Sequence, residues 1–176
     1  ETLRAGGKEV FVGGNIGNPL LSEVFNITAD SVVVLELSSF QLQPLRKSPH
    51  VGVILNLSPN HLDRHKSVDE YAEAKENIFR HQGIGDYAVL NWDNPWTRSM
   101  GSRCPGGRVF FSRDEEVPGG VYVKGDEIIV DIDGRSGAAL RLEDIRLPGE
   151  HNVENFLAVS AVTALAGCDF ACLRSV

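Results

Sequence analysis

Four short apolar runs constrain this chain more than any other feature: "EVFVGG", "SVVVLELS", "VGVILNLS" and "YAVLNW". Each is strand-length, and the segments between them are long enough for crossover connections. That is the pattern of βαβ units in a mostly parallel sheet flanked by helices, an α/β fold. From about residue 107 the texture changes. "GRVFFS", "GVYVKGDEIIVDI" and "AALRLEDIRL" are runs broken by Gly-Asp and Asp-Gly pairs, which favour hairpins, so a small antiparallel sheet is expected to follow. "HNVENFLAVSAVTALAG" is apolar nearly all round and reads as a buried helix ending at Gly167. Residues 1–167 are expected to form one domain, with 168–176 the start of a linker.

Composition removes several classes of function. With 42% hydrophobic residues in 176, the chain can bury one substantial core. Seventeen basic against 24 acidic residues give a net charge of -7, with no basic block to follow a phosphate backbone, so nucleic acid is not an expected partner. No apolar run has the length of a membrane span. Cys104, Cys168 and Cys172 lack the spacing of a disulfide framework or zinc site and read as reduced thiols, which points to a cytoplasmic protein. The opening "ETLRAGG" reads as the last turn of a helix without a start signal, so the chain is expected to begin within a fold.

Ligands of open α/β sheets bind beyond the carboxyl ends of the strands. Polar clusters follow three of the runs: "GGNIGNP", "ELSSFQ" and "NLSPNHLDRH". Right-handed crossovers bring all three to one edge, which predicts a shared site. Glu36 stands out because it ends a run expected to be covered on both faces, where an unpaired carboxylate is costly. A fourth element follows from Ser67 and Glu70, a capping box opening a helix expected to run to Gly83. Val68, Tyr71, Ala72, Ile78, Phe79 and Gln82 share one face of it, with Lys75 in the middle.

Each residue also has a plain structural reading. The Lys75 stem can cover apolar surface while its ammonium reaches water. Glu36 can pair with a neighbouring base, His61 can be a hydrogen-bonded loop histidine, Asn15 a turn residue, and Asn152 a helix cap. Taken together, Glu36, His61 and Lys75 bring a carboxylate, an imidazole and an amine to one rim. A buried, neutral lysine amine can add carbon dioxide, and the resulting carbamate offers oxygen to Mg²⁺.

"GGNIGNPL", "VLELSSFQL", "NLSPNHLDRH", "YAEAKENIF" and "LPGEHNVENFLAVSAV", in that order, resemble the motifs of the central, P-loop-like domain of the Mur ligases. The resemblance implies an enzyme that uses ATP and two Mg²⁺ ions to form an amide bond. "GGNIG" with "ELSSFQL" resembles the member that joins D-glutamate to UDP-N-acetylmuramoyl-L-alanine through an acyl phosphate. By the same resemblance Glu36 matches the acidic Mg²⁺ ligand beside the nucleotide phosphates. His61 and a carbamylated Lys75 match the ligands of a second Mg²⁺. Asn15, Ser38 and Gln41 match residues contacting the UDP-muramoyl substrate, and Asn152 and Asn155 match asparagines near the adenine.

Asn60 departs from the acidic residue that the family places before the histidine. The resemblance also puts a glycine-rich phosphate loop and a uridine-binding domain before Glu1, and a further domain after residue 176. On that reading this segment alone is inactive. Two alternatives remain at this point: a folylpolyglutamate synthase-like ligase, and a non-catalytic nucleotide-binding module of the same fold.

Overall fold

A computed structural model describes residues 1–16, 19–58 and 67–175. The first unit is a parallel pair, β1 (Val10–Gly14) and β2 (Val32–Glu36), registered so that Gly14 lies opposite Glu36. A six-stranded sheet holds β3 (Val51–Ile54), β4 (Tyr87–Asn91), β5 (Gly107–Ser112), β6 (Val121–Lys124), β7 (Glu127–Ile132) and β8 (Arg135–Arg141), in sequence order. Strands β3 to β6 are parallel, and β6 to β8 form an antiparallel meander. The expected antiparallel strands are therefore present, hydrogen-bonded onto the edge of the parallel set. "GRVFFS" belongs to the parallel set, pairing with β4. At the β7–β8 turn Asp133 and Gly134 both take positive φ, 50° and 80°, the conformation that an Asp-Gly hairpin requires.

Helices cover both faces of the larger sheet. Helix α5 (Glu150–Leu165) lays Phe156, Leu157, Ala158, Ala161 and Ala164 against Val89, Val109, Phe111 and Val130. On the opposite face α3 (Val68–Glu76) and α4 (Pro95–Met100) bury Tyr71, Ala72 and Met100 with Ile54, Ala88 and Leu90. A short α1 (Thr2–Ala5) packs Leu3 on Cys168 and Cys172, so part of the stretch expected to start a linker is buried. Burial pushes the Cys104 thiol up to about 11, which keeps it protonated at neutral pH.

Two expectations are corrected. Helix α3 ends at Glu76, seven residues before Gly83; beyond it the backbone tightens into i to i−3 bonds, such as Ile78 to Lys75 and Phe79 to Glu76. The apolar run of β2 is not covered on both faces: Val33, Val34 and Leu35 are 41–48% exposed, and Glu36 is exposed as well. Apolar residues state what a strand can bury. They do not supply the element that covers it.

Candidate active site

The parallel pair and the larger sheet are separated by a cleft of about 800 Å³. Val12, Val34 and Leu35 line one wall, Val53 and Leu55 the other, and Val159 and Val162 of α5 close it from the side. Of these, Val12, Val34, Leu35, Leu55 and Val159 are uncovered apolar side chains facing a gap. Its polar lining includes Glu36 at the end of β2, Asn56 just beyond β3, Lys75 on α3 and Asn155 on α5, with Glu1, Thr2 and Thr163 besides. Three segments far apart in sequence thus bring Glu36, Lys75 and Asn155 to one place, at the strand ends where an α/β sheet holds its ligands.

The backbone around Glu36 is tightly set. Asn15 N–H donates to the Glu36 carbonyl at 2.7 Å, and a Cβ on Gly14 would stand 2.1 Å from that carbonyl oxygen. Gly14 also has φ 109°, so only glycine lets "GGN" close onto the end of β2. Asn15 is therefore beside Glu36 through its main chain, with its own side chain exposed.

Ser38 and Gln41 are engaged with each other. Ser38 caps α2 (Ser39–Leu42), its Oγ accepting from Gln41 N–H while Gln41 Oε1 accepts from Ser38 N–H at 2.9 Å, a complete capping box. The Ser-x-x-Gln spacing carries that signal in the sequence.

Lys75 is half-buried, and its Nζ stands 5.3 Å from the centre of the Tyr71 ring one turn earlier. Burial pushes its pKa below the ordinary lysine value, and the nearby charge of Glu36 works in the opposite direction. The neutral amine is therefore more accessible than in a surface lysine. The next residue, Glu76, is buried and gripped by Arg103, with Arg80 at 3.5 Å. Helical periodicity gives no sign of that anchor, because Arg103 lies 27 residues on.

Asn155 reaches the cleft, and Asn152 does not make the helix cap of its plain structural reading. The helix starts from Gly149, and Asn152 Nδ2 donates back to the Pro148 carbonyl at 2.8 Å. The two asparagines meet through Asn155 Nδ2 and Asn152 Oδ1 at 3.4 Å.

A polar chain that the sequence does not announce supports this corner. Asn91 Nδ2 donates to Asn56 Oδ1 at 3.1 Å, and Asn56 Nδ2 donates to Glu154 Oε2 at 2.7 Å. Both asparagines directly follow or end apolar runs, which is the only local signal; their pairing across 35 and 98 residues leaves none. His61 and Asn60 lie outside the described residues, and so does the geometry of "PNHLDRHK". Among the described residues no three His, Cys, Asp or Glu side chains cluster as a metal site, and no helix is long and apolar enough to cross a membrane.

This fold, with a carboxylate, a half-buried lysine and an asparagine on one cleft, belongs to a defined family. Residues 6–163 match the Mur ligase middle domain, and the chain belongs to that family. It is 49% identical to UDP-N-acetylmuramoylalanine–D-glutamate ligase of Symbiobacterium thermophilum over its whole length, spanning 39% of that protein. The enzyme of the same name from Acetivibrio thermocellus is 49% identical over 90% of the chain, which spans 34% of it. Among solved structures, MurF ligase from Thermotoga maritima in complex with ADP has TM-score 0.66 at 21% identity, covering 99% of this chain and 44% of that one. A mutant of L. casei FPGS has TM-score 0.60 at 11% identity, covering 98% of this chain and 56% of that one, a likeness of fold alone.

Proposed function

We propose that this chain is the ATP-facing core of a ligase that joins D-glutamate to UDP-N-acetylmuramoyl-L-alanine in peptidoglycan precursor synthesis. The observation that carries the reading is the meeting of Glu36, Lys75 and Asn155 on one cleft. Its second support is identity of up to 49% to D-glutamate ligases. The likeness to the L. casei FPGS mutant, at 11% identity, adds nothing toward a folate substrate.

In this reading the adenine lies against Asn155 and Asn152, whose amides both give and accept hydrogen bonds. The donor set suits hard cations: Glu36 offers carboxylate oxygens at the open mouth, and Lys75 offers oxygens once its neutral amine has added carbon dioxide and released a proton. Glu36 would hold one Mg²⁺, and His61 with the Lys75 carbamate a second. Bound there, Mg²⁺ neutralises charge on the transferring phosphoryl group. The γ-phosphoryl passes from ATP to the terminal carboxylate of the muramoyl substrate. The D-glutamate amine then attacks that carbonyl, phosphate leaves, and an amide forms. Asn15, Ser38 and Gln41 would face the UDP-muramoyl substrate, with the capping box fixing the start of α2.

The uncovered Val12, Val34 and Leu35 opposite Val53 and Leu55 suit one further apolar strand, which we assign to the segment leading into the glycine-rich phosphate loop. Residues 1–167 then form the central domain, onto which Cys168, Cys172 and Leu173 still pack before the chain leads toward a following one. In phosphate-release assays, the full-length protein is expected to require both UDP-N-acetylmuramoyl-L-alanine and D-glutamate, and the 176-residue chain alone to be inactive. Turnover with a folate and L-glutamate, or ligation by the isolated chain, would contradict this.

A further inference from the structure

We propose that Asn77 is a positioning residue that sets the spacing between α2 and α3, and through them between Glu36 and Lys75; the inference rests on the site reading above. Asn77 is buried, two residues beyond Lys75. Its Nδ2 donates to two main-chain carbonyls at the end of α2, Leu42 O at 3.1 Å and Gln43 O at 3.2 Å. Helix α2 is a single turn, so its last carbonyls have few internal partners, and a side chain from another element supplies them. The Asn77 carbonyl in turn accepts from Ser48 Oγ at 2.9 Å, and that oxygen accepts from His81 N–H at 2.9 Å. The loop leaving α2 and the end of α3 are thus stitched together on both sides of one residue.

The consequence reaches the cleft from each direction. Only Leu37 and the cap Ser38 separate Glu36 from α2, and α2 cannot shift without moving both. Lys75 sits on the last turn of α3, immediately before the stitched residues. Asn77 is not among the residues that line the cleft. It acts by holding two elements whose side chains must meet.

The test uses the full-length protein with three variants measured together. Asn77→Ala is expected to lower kcat by about 100-fold, since misplacing catalytic groups by about 1 Å carries that penalty, while ATP affinity measured by equilibrium binding is unchanged because the adenine end rests on α5. Val109→Ala, a core truncation in β5 with comparable thermal destabilisation, is expected to leave kcat near that of the parent. Glu36→Gln is expected to lose activity. Equal kcat for Asn77→Ala and Val109→Ala at matched melting temperature, with Glu36→Gln inactive, would overturn this inference alone. Full activity of Glu36→Gln would instead remove the site reading and this inference with it. Should Asn77→Ala fail to fold, Asn77→Gln keeps both donors on a longer stem and is expected to cost about tenfold in kcat; parent-like kcat in that variant would overturn the proposal.

Discussion

Replacing Lys75 by alanine in the full-length protein is expected to lower kcat by about 10²–10³-fold, the usual loss when one group that stabilises the transition state is removed. Lys75→Arg is expected to be nearly as damaging. A guanidinium keeps the positive charge and the apolar stem, but it cannot become a neutral amine or a carbamate. The pair therefore separates the chemical reading from the plain one, in which the lysine only covers apolar surface with its stem. On the plain reading arginine would restore activity. Because burial lowers the Lys75 pKa, its neutral form grows in at lower pH than in an ordinary lysine, and activity should rise with pH and added bicarbonate over that interval. A flat response in both the parent and Lys75→Arg would count against the carbamate. Combining Lys75→Ala with Glu36→Gln is expected to cost little more than either alone, since groups that act together are non-additive.

Phe79→Ala carries the largest expected effect on stability. Phe79 is 1% exposed and packs with Ile54, Leu57, Tyr71, Leu90 and Met100, where it pins the turns after α3 to the sheet. Truncating such a ring loses about 3–5 kcal/mol through transfer and the cavity left behind. Hydrogen exchange of the β3 and β4 amides should register that loss as faster exchange throughout the cluster. A change below about 1 kcal/mol would mean that the site collapses readily and that α3 is held by other contacts. Since Lys75 lies one turn before Phe79, the same variant should also lower kcat more than its stability loss explains.

The architecture is legible in the sequence because strand and helix periods are local properties. All four apolar runs form parallel strands, and the Asp-Gly pair forms the β7–β8 turn. The Ser67 cap is present where the spacing predicts it, its Oγ accepting from Glu70 N–H at 3.1 Å. Lys75 stands out by its place on an apolar face, and the structure puts it on the cleft with Glu36.

What is not legible depends on partners far along the chain. Glu36 reads as buried because its strand is apolar, yet among the described residues β2 pairs with β1 alone and lines an open cleft. Glu76 has no place on the apolar face that the period defines, and it is buried because Arg103 meets it. The Asn91–Asn56–Glu154 chain and the Asn77 clamp on α2 join residues 34 to 98 apart. No window of a dozen residues contains such a pairing. The place of His61 remains an expectation of the family resemblance.

A crystal structure of the full-length protein with a non-hydrolysable ATP analogue, using Mn²⁺ for its anomalous signal, addresses the shared site itself. The account predicts adenine against Asn155, a Mn²⁺ peak beside the Glu36 carboxylate, and density extending past the Lys75 amine. Nucleotide bound elsewhere, with Glu36 and Lys75 facing neither metal nor phosphate, would contradict it.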